Sequence, residues 1–192
     1  IPVTSTLRGL GCFPPDNHLY VGMIGMHGTR YANQLMEEAD VVIALGVRFD
    51  DRATGKINEF CPHAKVIHVD IDKSELNKLK ATYQSVNANI KDVLELILPH
   101  IMENKRKSWL KEVEIKKLAM PYVKAPENGD IFHPLKIINE VSGLVPDDTI
   151  ITTDVGQHQM WVAQVYPFSK PRTFLTSGGL GTMGFGVPVA VG

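Results

Sequence analysis

At residue 40 the chain changes hydrophobic period without a break, and that junction constrains the fold more than any other feature. Thr29–Asp40 (TRYANQLMEEAD) sets Ala32, Leu35, Met36 and Ala39 at i, i+3, i+4 and i+7, one face of a helix. Val41–Leu45 (VVIAL) follows at once as a continuous apolar run, the pattern of a strand buried in a parallel sheet. Lys65–Val69 (KVIHV) is a second such strand and Gln84–Ala88 a weaker third. Between them, Asp72 with Glu75 three residues on predicts a capped helix over 73–79. Ile90–Ile101 carries Ile90, Val93, Leu94, Ile97, Leu98 and Ile101 at helical spacing, a broad apolar face that predicts packing on a sheet. Strands alternating with helices in this way call for an α/β fold, a parallel sheet flanked by helices. Ligands of such sheets bind beyond the carboxyl ends of the strands, so the residues just after each strand are the candidates for function.

Lys105–Ala119 is charged, with Trp109, Val113 and Leu118 as its few apolar anchors, and reads as a solvated helix bridging two units. Met120–Pro134 holds three prolines and a glycine. The expected organisation is therefore a first α/β unit over 1–119, a linker over 120–133 and a second α/β unit over 134–192. Pro134 suits the first turn of a helix, with Leu135, Ile138 and Val141 facing inward. Thr149–Thr153 and Arg172–Thr176 are the strands of the second unit. A content of 44% hydrophobic and 21% charged residues excludes a disordered or collagen-like chain. The net charge of -1 leaves no basic footprint, and no nucleic-acid partner is expected. No apolar run approaches the roughly 18 residues of a membrane span, so no membrane partner is expected either. Cys12 and Cys61 lack metal or redox spacing and read as inert thiols of a reducing compartment. The chain opens on IPVTST without an initiator Met and closes inside GFGVPVAVG, so a piece of a longer protein is expected.

Four stretches stand out after the strands. Gly46-Val47-Arg48-Phe49-Asp50-Asp51-Arg52 sets two arginines around two aspartates, which can hold phosphate and hydroxyl groups together; a surface salt-bridge cluster is the competing reading. Asp70-Ile71-Asp72 offers acids suited to ribose hydroxyls, while a plain helix cap explains Asp72 better than Asp70. Gly22–Thr29 (GMIGMHGT) precedes a helix start, whose free N–H groups suit an anion, although its glycine spacing is not that of the dinucleotide fingerprint. His27 taken alone reads as a structural histidine. In the second unit, Asp154–Trp161 (DVGQHQMW) and Ser177–Gly186 (SGGLGTMGFG) each follow a strand, the latter with five glycines in ten residues. Such glycines mark close contact between backbone and ligand, or helix–sheet packing that tolerates no side chain. Gln157 and His158 can donate hydrogen bonds to a phosphate, and Met183 suits an apolar prop under a ring.

At these residues the chain resembles the acetolactate synthase (acetohydroxyacid synthase) large-subunit family of thiamine diphosphate enzymes. The resemblance rests on GMIGMHGTRYAN, VVIALGVRFDDRATGKI, KVIHVDID, TTDVGQHQMW and TSGGLGTMGFGVP, which cover nearly the whole chain apart from the linker and the charged helix. It implies that residues 1–119 are the later part of a middle, FAD-binding domain, and that 134–192 begin a thiamine-diphosphate-binding domain. By the family's pattern, FAD would touch Met26, His27, Gly28, Gly46, Arg48, Asp50 and Arg52, with Asp70 and Ile71 near its adenosine half. Asn89 stands where the family usually has Asp, keeping a hydrogen-bonding group without the charge. Thiamine diphosphate would meet Val155, Gly156, Gln157 and His158 at its diphosphate, and Gly181 and Met183 at its aminopyrimidine.

The resemblance also implies a reaction. Pyruvate is decarboxylated on thiamine diphosphate, and the two-carbon unit is joined to a second pyruvate or to 2-oxobutyrate. Mg²⁺ and FAD are the further cofactors, the FAD without a net redox task. A homodimer or homotetramer, a small regulatory subunit and a cytoplasmic setting come with the family. The activating glutamate and the GDG…N metal motif of the family are missing, so no catalytic residue and no metal ligand is expected in these 192 residues. Two alternatives stay open, a non-catalytic nucleotide-binding module and another thiamine diphosphate enzyme such as a pyruvate oxidase or glyoxylate carboligase. GQHQMW and SGGLGTMGFG argue against the first, GMHGT and RFDDR against the second.

Overall fold

The computed structural model describes residues 1–121 and 130–192. The predicted linker falls mostly on 122–129, outside the described residues. Every strand pairing is parallel. Strand β1 (Val3–Ser5) pairs with β2 (Tyr20–Met23), β3 (Val41–Leu45) with β4 (Lys65–Asp70), β4 with β5 (Gln84–Asn87), and β6 (Ile151–Thr153) with β7 (Phe174–Thr176). The helices are α1 (Arg30–Glu38), α2 (Asp51–Thr54), α3 (Ile90–Ile97), α4 (Lys107–Ala119), α5 (Pro134–Leu144), α6 (Gln157–Val165) and α7 (Gly186–Val191). This is the α/β architecture that the change of period predicts.

Helix α1 begins where the sequence says it should. Thr29 caps it, its hydroxyl accepting from Ala32 N at 3.1 Å and donating to Val21 O at 3.0 Å. The predicted inner face is divided between two cores. Ala32 and Leu35 pack with Val21 of β2 and Val113 of α4, while Met36 and Ala39 pack against Val42 and Ala44 of β3. A third core joins the two units: Leu10 and Met23 of the first meet Ala163, Tyr166 and Phe168 of the second. Arg8 reaches across the same seam, its guanidinium donating to Thr176 O at 2.9 Å.

Several expectations are corrected. Strand β3 is buried on one face only: Val42 and Ala44 are covered, whereas Val41, Ile43 and Leu45 are 47%, 49% and 37% exposed, because no described element closes over that side. The helix predicted over 73–79 is a single 3-10 turn, Lys73–Glu75. Its capping box cannot close, since Glu75 pairs with Lys78 at 2.8 Å and Asp72 N already donates to Asp70 Oδ1 at 2.8 Å. Asn77, at φ 56, then turns the chain away from helical geometry. The apolar helix of 90–101 stops as an α-helix at Ile97 and buries none of its side chains, and Ile97, Leu98 and Ile101 are exposed. Helix α4 is not a free bridge: Val113 is buried, Trp109 packs beside it, Lys116 pairs with Glu38 at 2.8 Å, and Lys117 donates to His18 O at 2.9 Å and Tyr20 O at 2.6 Å. Of its predicted anchors only Leu118 is exposed. In α5, Leu135 is buried and Ile138 packs on the core, but Val141 faces out. Among the described residues no helix is long and apolar enough to cross a membrane.

Candidate functional site

Parallel pairing aligns the carboxyl ends of the strands, which brings the first set of candidate residues to one rim. Leu45 lies beside Val69, and Asp70 beside Asn87. Gly46 N continues the ladder by donating to Val69 O at 2.9 Å, and Ala88 N to Asp70 O at 3.1 Å. The loop after β2 joins the same rim through Met26 N, which donates to Arg52 O at 2.9 Å. Arg52 also approaches Met26 Sδ at 3.9 Å. This loop is held rigidly. The Asn33 side chain accepts from Gly25 N at 2.9 Å and donates to Gly25 O at 2.9 Å. Gly25, at φ +103, lies against the backbone of Arg52 and Ala53. Met26, His27 and Ile71 are exposed on this rim, and Gly28 is half-buried.

The basic–acidic run after β3 is not a salt-bridge cluster. Asp50 is the cap of α2, its Oδ1 accepting from Ala53 N at 3.1 Å. Arg48 and Arg52 are exposed and make no ion pair with a carboxylate among the described residues. Two unpaired guanidiniums at a strand-end rim suit an anionic ligand. Between them Phe49, at φ 54, turns its ring inward to an edge contact with His68, centroids 5.0 Å apart. Asp70 is itself buried. Its Oδ1 holds Asp72 N, and its Oδ2 lies 3.8 Å from Nε2 of the fully buried His68. Asn89 serves as the cap of α3, accepting from Lys91 N at 2.9 Å.

The second set gathers where β6 and β7 end. Val155 and Gly156 lead from β6 into α6, and Gln157 and His158 are its exposed first residues, whose backbone N–H groups have no partner among the described residues. Gly181 and Met183 lie in the loop after β7. Gly181 faces the Val155 side chain, a Cβ there standing 4.0 Å from Val155 Cγ1, while Gly179 and Gly184 have open space. Met183 is 79% exposed, so it fills no gap between helix and sheet. It also stands clear rather than at the base of a cleft, since no described element faces it.

Several residues that organise the site escape the sequence patterns. Asp154 accepts from Val155 N at 2.8 Å and from Gly184 N at 3.0 Å and 2.8 Å, joining the two loops. The N–H of Val155 and then that of Gly184 hold its carboxyl below the usual aspartate range. Reading residues just after a strand was the signal that could have found it. Gln159, buried in the first turn of α6, donates to Thr176 Oγ1 at 2.6 Å, and Thr176 shares a 2.8 Å bond with Thr153 Oγ1. Gln164, in the last turn of α6, ties the second unit to the first rim, its amide donating to His27 O at 2.8 Å. Asn87 secures the Asp70–Ile71 turn, donating to both carbonyls at 3.0 Å and 2.9 Å. No spacing rule marks these three, because each partner lies far along the chain. Among the described residues no group of three or more His, Cys, Asp or Glu could hold a metal ion.

Two parallel α/β units, each with a glycine-bearing rim at its strand ends and joined through one core, define a class of cofactor-binding enzyme domains. The chain belongs to the thiamine pyrophosphate enzymes: their central-domain family matches residues 1–97, and their C-terminal, TPP-binding domain matches residues 154–192. Among curated relatives, the chain is 49% identical over 192 residues to the acetolactate synthase isozyme 1 large subunit of Escherichia coli. It is 46% identical over 199 residues to the chloroplastic acetolactate synthase 2 of Nicotiana tabacum, and 44% over 201 residues to a probable acetolactate synthase large subunit of Methanocaldococcus jannaschii. Each comparison takes in all of this chain but only 34%, 30% and 34% of the relative, so the chain spans about a third of their length.

Proposed function

We propose that these residues form the middle of an acetolactate synthase catalytic large subunit, which decarboxylates pyruvate on thiamine diphosphate and joins the two-carbon unit to a second 2-oxo acid. The observation that carries this reading is the meeting at Asp154 of the loop after β6, with Gly156, and the glycine-rich loop after β7, beside the exposed first residues of α6. Similarity over the whole of this chain, though over only about a third of each relative, to proteins named acetolactate synthase supports the choice within the wider family. In this reading residues 1–119 are the later part of a flavin-binding middle domain, 120–133 the linker, and 134–192 the start of the thiamine-diphosphate-binding domain.

Bound thiamine diphosphate supplies the electron sink for loss of CO₂ and carbon–carbon bond formation. This chain's part is to hold it. The backbone of Val155 and Gly156 with Gln157 and His158 would receive the diphosphate, and Gly181 and Met183, beside the open glycines, would meet the aminopyrimidine. FAD is assigned to the first rim. The unpaired guanidiniums of Arg48 and Arg52 would face its diphosphate, with Met26, His27, Gly28, Gly46 and Asp50 around it and Asp70, Ile71 and Asn89 toward the adenosine half. Asp50 and Asn89 already cap helices, so their share falls to whatever acceptor capacity the caps leave. Mg²⁺ would be held by residues beyond this chain. A homodimer or homotetramer, a small regulatory subunit and a cytoplasmic compartment complete the proposal.

The test uses the intact subunit with thiamine diphosphate, Mg²⁺ and FAD. Release of CO₂ from pyruvate with formation of acetolactate is the expected result. Cofactor-loaded protein that forms no acetolactate from pyruvate, or oxidises it instead, overturns the reading.

A further inference from the structure

Beneath the second rim the strand ends are tied by buried side chains. Thr153, Thr176 and Gln159 share hydrogen bonds of 2.8 Å and 2.6 Å. Above that layer the loop after β7 has little support. Leu180 is 95% and Met183 79% exposed, and a Cβ on Gly179 or Gly184 would meet nothing within 4 Å among the described residues. The loop's own bonds are local, Thr182 N to Ser177 Oγ at 2.9 Å and Gly181 N to Ser177 O at 3.2 Å. Among the described residues, the hydrogen bonds tying 178–184 to another loop are those that Gly184 N gives to both oxygens of Asp154, thirty positions away. The same carboxylate holds Val155 N. The two loops are also pressed together just beyond that point. Gly186 is buried, and a Cβ on it would stand 2.6 Å from Asp154 N and 2.8 Å from Thr153 C.

We propose that Asp154 is a positioning residue, a latch whose carboxylate fixes the Gly181–Gly184 turn opposite Val155–His158 and so sets the separation of the two halves of the thiamine diphosphate site. It touches no cofactor. It acts through the backbone of Val155 and Gly184, and the close approach at Gly186 lets it reach both. A latch of ionised oxygen on backbone N–H is stronger than a neutral one. The low-lying carboxyl of Asp154 keeps it ionised. The inference rests on the proposed thiamine diphosphate site and adds the residue that shapes it.

Asp154→Asn retains the size and one acceptor but loses the charge and the second oxygen. In the intact subunit we expect it to weaken thiamine diphosphate binding about tenfold, measured by calorimetry with Mg²⁺ present, the loss of a charge-assisted contact. At saturating cofactor, kcat should fall by much less than that factor, since the bound ligand re-forms the turn. Amide hydrogen exchange should quicken in peptides spanning 177–186 and stay unchanged across 41–45 and 65–70. An affinity within about twofold of wild type overturns the latch, that being below any charged-bond loss. Exchange quickened throughout the subunit also overturns it, because the role is then only structural. Should the variant fail to fold, wild-type exchange decides: a Gly184 amide protected relative to Leu180 supports the latch, and one exchanging as fast refutes it. Wild type that binds no thiamine diphosphate brings down the proposed function instead, and leaves the latch to the exchange result.

Discussion

A Cβ on Gly25 would stand 2.9 Å from Ala53 Cα, and one on Gly28 2.8 Å from Ile24 Cα; on Gly179 or Gly184 it would meet nothing within 4 Å among the described residues. The two rims are built on one topological rule but use glycine for opposite reasons. In the first unit the missing side chain lets one loop lie on another, and polar side chains then lock the arrangement: Asn33 around Gly25, Asp50 over the start of α2. In the second unit Gly186 packs in the same way, but at Gly179 and Gly184 the missing side chains leave space among the described residues, and one carboxylate spans it. A rim that is closed and pinned suits a permanently held group. A rim that is open and latched at one point suits a ligand that must enter and be gripped.

Four substitutions in the intact subunit break or sharpen this contrast, read as loss of stability in denaturant. Gly25→Ala should do most, at about 3 kcal/mol or more, because it meets backbone and also sits at φ +103. Asn33→Ala should follow at about 2 kcal/mol, since the N–H and C=O of a buried glycine lose their partners. Asp50→Ala removes a helix cap and should cost about 1 kcal/mol. Gly179→Ala should be smallest, within about 0.5 kcal/mol, the ordinary range for an open surface position. A Gly179→Ala cost equal to that of Gly25→Ala would show the second rim to be packed, and the contrast would fail.

Much of this molecule was legible in advance. The change of period at residue 40, the parallel strands and the glycine loops after β6 and β7 all follow from neighbours a few residues apart. The errors share one cause. The Asp72 cap failed to extend a helix because Asp70, held by the strand pairing, had taken the N–H that Glu75 needed. The run VVIAL looked buried on both faces, and only the placement of α1 decided which face was covered.

The sequence by itself determined the class of fold, the order of its elements and which strand ends to inspect, because helix and strand periods are local properties of the chain. It could not determine that Gly25 and Gly28 are packed while Gly179 and Gly184 are open, nor that Arg48 and Arg52 make no ion pair among the described residues. It could not tell that Gln164 reaches His27, or that Asp154 meets Gly184. Those were decided by tertiary structure alone. A hydrogen bond or a steric gap depends on which distant backbone arrives within about 3 Å, and one residue type in one motif serves either purpose until that neighbour is known.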